Sequence, residues 1–270
     1  MKLAQLLFRM GSYVRYLFRS GNTMGYGIHS PHLFNIARVI VPETAKYYCY
    51  SRIEQERNTL LRRRDEVEVV DFGTGGQGKG GNGVGKRIVG DMARKSLKSR
   101  AEAQLLFRLV NFEQAEMIVE LGTCLGLTTA YLAAPRPESE VWTFEGSEAL
   151  LEIARGVWKR LGMSNIRAVS GNIDETLAAT AEKWEKTVDF AFIDANHSYE
   201  ATVRYFDLLA AHAGEKSVFV VDDIRWSKEM WQAWETIGER DAVTARMDLG
   251  TMGLVFFDNY LPKQVFTLRM

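Results

Sequence analysis

From about residue 117 onward, short apolar runs and amphipathic stretches take turns along the chain. Strand-like runs fall at 117–121, 141–145, 166–169, 188–194 and 217–222. Helical stretches lie between them, at about 127–134, 147–161, 174–185 and 198–212. Parallel strands need long crossovers, and these helices supply them, so the pattern predicts a doubly wound α/β fold with a mostly parallel sheet covered on both faces. The end differs. After a helical stretch at 228–238, strands at 242–248 and 253–258 are joined only by Leu249–Met252. A connection that short is a hairpin, which turns the final strand antiparallel.

Residues 1–66 have helical character. Leu3, Leu6, Leu7, Met10, Val14, Leu17 and Phe18 recur at helical spacing, with Lys2, Arg9, Arg15 and Arg19 between them. Gly21–Gly27 interrupts this pattern, and Ser30-Pro31 offers a new helix start at His32. Residues 67–72 resemble a short strand. Of the 13 residues from Gly73 to Gly85, 8 are glycine, which predicts a flexible lid because so many glycines are costly to order. From Ser99 a helical pattern runs to about Asn111. The expected division is an N-terminal helical and lid region at 1–97, with the Gly-rich loop at 73–85, and an α/β domain at 98–270.

Several classes fall away on composition. No apolar run reaches the roughly 20 residues that span a bilayer. Leu3–Phe8 is broken at Arg9 and no small-residue cleavage site follows, against a secretory signal. Two cysteines, Cys49 and Cys124, form neither a disulfide framework nor a CxxC site, which points to the cytoplasm. The net charge of zero hides a split: residues 1–110 hold 19 Lys+Arg against 9 Asp+Glu, and residues 111–270 hold 15 against 25. Either the two halves attract each other, or the front half meets an anionic partner. Arg62-Arg63-Arg64 and the group Arg94, Lys95, Lys98 and Arg100 suggest RNA as that partner, and otherwise they are solvated helix faces. The basic amphipathic start suits a membrane surface in a peripheral or scaffolding module, or packs on its own domain.

Two glycine-rich segments compete for a nucleotide. Gly73 to Lys79 follows a strand, and Gly80-x-x-x-x-Gly85-Lys86 matches most of a P-loop. The next residue is Arg87, where a magnesium-holding Ser or Thr belongs, and the other frame fails at Gly80. The second segment, Ile118 to Thr129, opens the βα alternation, where a doubly wound sheet binds its ligand. Glu145 ends the next strand, 23 residues after Gly122, and suits a grip on ribose hydroxyls. The glycine that would admit a pyrophosphate is missing, so a nucleoside without a diphosphate fits better than NAD.

Five motifs in order carry a resemblance: Glu120-Leu-Gly-x-x-x-Gly-x-Thr128, Phe144-Glu145-Gly, Ser170-Gly171-Asn172-Ile173-Asp174, Phe192-Ile-Asp194-Ala-Asn-His197-Ser-Tyr199 and Val221-Asp222-Asp223-Ile-Arg-Trp226. The chain resembles class I S-adenosylmethionine-dependent methyltransferases over about 98–260, and most of all the metal-dependent O-methyltransferases of the catechol and caffeoyl-CoA type. That resemblance implies a Rossmann-like, seven-stranded sheet with its last strand antiparallel. It places the methionine part of the cofactor on the Gly122 backbone and the Thr123 and Thr128 hydroxyls, with Glu120 and Gly126 completing the loop. Glu145 would take the ribose, Gly171, Asn172 and Ile173 the adenine, and Asp194 the neighbourhood of the sulfonium. Alternatively, Gly122 and Gly126 ease strand–helix packing, Thr128 opens a helix, and Cys124 is a small filler. Trp142, Trp226, Trp231 and Trp234 are expected to pack, although Trp226 could wall a substrate.

In the resembled family a divalent metal is held by two acids and an Asn after the fourth and fifth strands. The matching residues are Asp194, Asp222 and Asp223, oxygen ligands suited to Mg²⁺, Mn²⁺ or Ca²⁺. Two positions depart: Asp223 replaces the Asn, and His197 replaces a lysine. A histidine is a competent base near neutral pH, with or without a metal. The alternatives are that Asp223 caps the next segment and His197 is a polar helix-start residue. His29 is a further candidate on the basic half. The resulting expectation is O-methylation of a small-molecule hydroxyl from S-adenosylmethionine, with Asp194 and His197 catalytic. An RNA acceptor and a non-catalytic scaffold stand as alternatives. The acceptor and the oligomeric state are not encoded in any motif.

Overall fold

The computed structural model describes residues 3–20, 25–71 and 83–270. Most of the Gly73–Gly85 segment, and with it the expected lid, lies outside the described residues. The chain divides into two compact units, one of residues 1–44 with 186–270 and one of residues 45–185. Residue 97, the expected boundary between the N-terminal region and the α/β domain, falls inside the second unit.

The first unit opens with α1 (Leu3–Arg19) and α2 (Pro31–Asn35), which runs into a π-helical turn at Ile36–Ile40. As the Ser-Pro pair predicts, the Ser30 side chain accepts from Leu33 N and Pro31 is the first helical residue. The second unit holds α3 (Tyr50–Arg62), an antiparallel pair of β1 (Glu66–Asp71) and β2 (Gly83–Ile88), α4 (Val89–Ser96) and α5 (Arg100–Glu113). It continues with β3 (Met117–Leu121), α6 (Leu127–Ala133), β4 (Glu140–Glu145), α7 (Glu148–Leu161), β5 (Ile166–Ser170) and α8 (Ile173–Ala181). Pairing is parallel between β3 and β4 and between β4 and β5.

The first unit resumes with β6 (Val188–Ile193), α9 (Tyr199–Ala210), β7 (Ala213–Val221), α10 (Lys228–Glu239), β8 (Ala245–Asp248), β9 (Gly253–Phe256) and β10 (Gln264–Thr267). Its strand order is β10-β8-β9-β7-β6. β6 and β7 are parallel, while β9 runs antiparallel to both β7 and β8. The alternation from β3 and the antiparallel seventh strand, β9, follow the expectation. β10 is an addition, parallel to β8.

Local sequence explains the boundaries. Ser99 and Glu102 close a reciprocal capping box at the start of α5. Ser198 and Ser227 cap α9 and α10 through backbone N–H groups three residues on. Every residue of β3 and β9 is buried, as continuous apolar runs require. In the first unit Phe219 packs edge-on to Phe257 at 4.7 Å and to Phe206 at 6.0 Å.

The N-terminal helix docks in an unexpected way. It meets its own unit with its polar face. The Tyr16 hydroxyl lies 2.8 Å from Leu268 O and 3.2 Å from Leu249 O, and Gln5 donates to Trp226 O. The Arg9 guanidinium stacks 4.4 Å from the Trp226 ring. Helical periodicity locates a face but does not say which face packs.

Gly126 shows how tightly α6 and α7 approach. It has φ 74°, and the Trp158 indole donates to its carbonyl at 2.8 Å. A Cβ there would stand 2.5 Å from the Ala154 methyl. Gly126→Ala is therefore expected to destabilise the protein by about 2–4 kcal/mol, combining overpacking with a left-handed backbone. Gly156→Ala, whose new methyl meets only the Arg160 tip at 3.3 Å, should be neutral or stabilising by up to about 1 kcal/mol. Urea midpoints of the two variants test this. Equal midpoints would show that the α6–α7 contact is loose.

Candidate active site

The sequence-predicted residues occupy two places, one in each unit. In the second unit they gather at the carboxyl ends of β3, β4 and β5. Gly122 (φ 97°) and Thr123 both donate backbone N–H groups to Phe144 O, at 3.0 and 3.2 Å. This ties the loop after β3 to the end of β4. Glu145 then takes the Cys124 N–H on one carboxylate oxygen at 2.8 Å and the Ser147 N–H on the other at 3.0 Å. An acid held by backbone donors keeps its direction, with lone pairs left for hydroxyl donors.

Glu120 is different. It is fully buried, and one carboxylate oxygen accepts from the Thr129 and Thr143 hydroxyls at 2.5 and 2.6 Å. The Thr123 hydroxyl joins this network at 2.5 Å from that of Thr143. Glu120 and the Thr123 side chain thus point into the core and brace the loop from beneath. Thr128 sits half-buried in the first turn of α6. Gly171 (φ 123°) donates to Glu145 O at 2.9 Å, and Asn172 caps α8 by accepting from Asp174 N. Ile173, half-buried, begins that helix. Cys124 serves through its backbone N–H, a role its side chain does not announce.

In the first unit Asp194, His197, Asp222 and Asp223 converge at the ends of β6 and β7. One ligand atom from each lies within 4.8 Å of all the others. His197 Nε2 stands 3.3 Å from Asp194 and 3.1 Å from Asp223. Asp222 is fully buried, and its backbone N–H extends the β6–β7 ladder to Ile193 O. Burial on its own would lower the His197 pKa. The two carboxylates more than offset that, and the imidazole is pushed up to about 10. His197 is therefore an imidazolium at neutral pH and serves as the counter-charge of the cluster. The donor set of three carboxylates and one imidazole is also the kind that suits a hard divalent cation.

Backbone strain marks both places. Among the described residues, five non-glycines have positive φ, and four of them belong here: Cys124 (50°), Asn196 (63°), His197 (43°) and Asp223 (51°). Such conformations cost of order 1 kcal/mol or more each and persist where function or packing holds them. Trp226 lies beside the cluster, its ring centroid 6.3 Å from that of His197, and it is partly exposed. Sequence reasoning missed the neighbouring Arg225, which forms a buried two-pronged pair with Asp248 and stacks between Tyr16 and Trp231. An acid inside a buried strand was the available signal. His29 is exposed, in the stretch leading to α2. In the basic clusters Arg63 pairs with Asp65, Arg94 with Asp91 and Arg100 with Glu54.

Residues 119–224 match the methyltransferase domain family, a span that includes both groups of residues. No curated protein sequence matches the chain. The solved structures that share the fold include three methyltransferases. An O-methyltransferase from Bacillus cereus in complex with SAH is 18% identical, with a TM-score of 0.56, over 83% of this chain and 96% of that one. The O-methyltransferase TomG from Streptomyces achromogenes, involved in tomaymycin synthesis and bound to SAM, is 21% identical, with a TM-score of 0.53, over 60% of this chain and 81% of that one. An SAH-bound methyltransferase from Podospora anserina is 13% identical, with a TM-score of 0.58, over 80% of this chain and 90% of that one. The chain carries a methyltransferase domain and has the class I methyltransferase fold.

Proposed function

We propose that the protein transfers the methyl group of S-adenosylmethionine to a hydroxyl oxygen of a small molecule. The observation that carries this reading is the clustering of Asp194, His197, Asp222 and Asp223 inside a methyltransferase domain. In the transfer the sulfur–carbon bond breaks as the oxygen–carbon bond forms. The sulfonium becomes a neutral thioether, and the hydroxyl proton must leave.

The residues divide the work. Glu145, pinned by Cys124 N–H and Ser147 N–H, accepts from the ribose hydroxyls. The backbone at Gly122 and the Thr128 hydroxyl hold the methionine part, with Glu120, Thr123 and Gly126 keeping the loop in shape. Gly171, Asn172 and Ile173 border the adenine. Asp194 favours the positive sulfonium. Asp194, Asp222 and Asp223 would hold Mg²⁺, Mn²⁺ or Ca²⁺, which when bound orients an acceptor hydroxyl and lowers its pKa. His197 can accept the hydroxyl proton only in its neutral form. That form requires another positive charge between Asp194 and Asp223, since their carboxylates hold the imidazole protonated.

Two outcomes test this. Glu145→Ala should weaken S-adenosylmethionine binding by about 10- to 100-fold in calorimetry, the cost of losing charge-assisted hydrogen bonds. Unchanged affinity would remove Glu145 from the donor site. The second concerns pH. His197 keeps its proton well above neutrality, with a pKa of about 10, so a cation that displaces this proton binds better as pH rises. Mg²⁺ affinity should climb about tenfold per pH unit from 7 to 9 and be lost in Asp222→Asn. A flat profile, or full affinity in Asp222→Asn, would place the cation elsewhere.

A further inference from the structure

We propose that α1 is a docking element for an anionic lipid bilayer, lying flat in the headgroup layer. Tyr16, Gln5 and Arg9 face the protein and contact it, with half-buried Phe8 and Ser12 lining the cleft beside Trp231 and Trp234. At 100° per residue, Leu6, Leu7, Met10, Val14, Leu17 and Phe18 share one arc of about 120° on the other side. Phe18 is 87% exposed, Leu7 60%, Met10 59% and Val14 50%. A helix that turns its polar side inward and a continuous apolar arc outward has left its apolar surface for something else to cover.

Charge selects the occupant. The first 42 residues contain Lys2, Arg9, Arg15, Arg19 and Arg38 and no acid. Arg15 and Arg19, one turn apart, lie about 60° and 100° beyond the Phe18 edge of the arc, exposed at the rim of the cleft that Tyr16 shares with Arg225 and Trp231. A second copy of this helix would bring the same cations and no carboxylates to answer them. A bilayer containing anionic lipid supplies both what the arc needs and what the arginines need. The helix has 17 residues, and no described helix is long and apolar enough to cross a membrane, so the geometry is that of a surface helix.

Flotation of the full chain tests the proposal, using vesicles of phosphatidylcholine alone and of phosphatidylcholine with about one-third phosphatidylserine. The wild type should float with the anionic vesicles and at least tenfold less with the neutral ones. Met10→Ser/Phe18→Ser alters two exposed side chains and keeps every charge, and it should lose at least tenfold of the binding. Arg15→Gln/Arg19→Gln should weaken binding to anionic vesicles and leave the weak binding to neutral ones unchanged. The proposal is overturned if the wild type stays unbound with anionic vesicles, or if Met10→Ser/Phe18→Ser floats as well as the wild type. It is also overturned if the lipid-free wild type sediments as a dimer that Met10→Ser/Phe18→Ser dissociates, because the arc would then belong to a second copy.

Discussion

A carboxylate at the end of a buried strand must be given a partner, and the kind of partner decides what it can do. Glu120 receives two threonine hydroxyls in the core, a neutral environment that fixes its position and makes it a brace. Glu145 receives two backbone N–H groups at the loop edge, one on each carboxylate oxygen, which hold it aimed. Asp194 and Asp223 receive an imidazolium. Three solutions to one desolvation problem separate an acid that braces the core, an acid aimed by backbone donors at the loop edge and a cluster that carries its own imidazolium. The left-handed backbones at Cys124, Asn196, His197 and Asp223 are part of the same solution, since they turn the donors and acceptors to where they are needed.

The sheet was legible because its strands are continuous apolar runs with crossover helices between them. β3 and β9 are buried at every position, and a buried strand announces itself by composition alone. β10 was hidden for the opposite reason. Gln264–Thr267 is four residues long and mostly exposed to some degree, with no apolar run to find. α4 was hidden by its eight-residue length directly after β2. In the candidate site the residue types were legible, but their partners were not. Nothing in local sequence shows that Thr143, one strand away, takes both Glu120 and Thr123, or that Cys124 matters through its backbone.

Asp223 and His197 depart from the resembled family's Asn and Lys, and the structure gives the two changes a common logic. An extra carboxylate adds repulsion to a cluster that already holds Asp194 and Asp222. A histidine between Asp194 and Asp223 offsets that repulsion without the reach of a lysine. The imidazolium answers only one of the three carboxylates, so it offsets that repulsion in part. Between the two carboxylates His197 keeps its proton at neutral pH, its pKa pushed up to about 10.

The charge split along the sequence takes on a different meaning once ion pairs are placed. In the first unit Asp248 pairs with Arg225, Asp207 with Arg240 and Glu235 with Arg246, acids and bases of the same late stretch of chain. In the second unit Glu54 and Glu56 engage Arg57 and Arg160. Arg9 is laid on an aromatic face. Arg9, Arg15 and Arg19 are carried on a helix whose apolar side faces outward. Burying that side against another protein of ordinary surface would strand the cations, while a bilayer interface accepts apolar residues and basic flanks in the same layer.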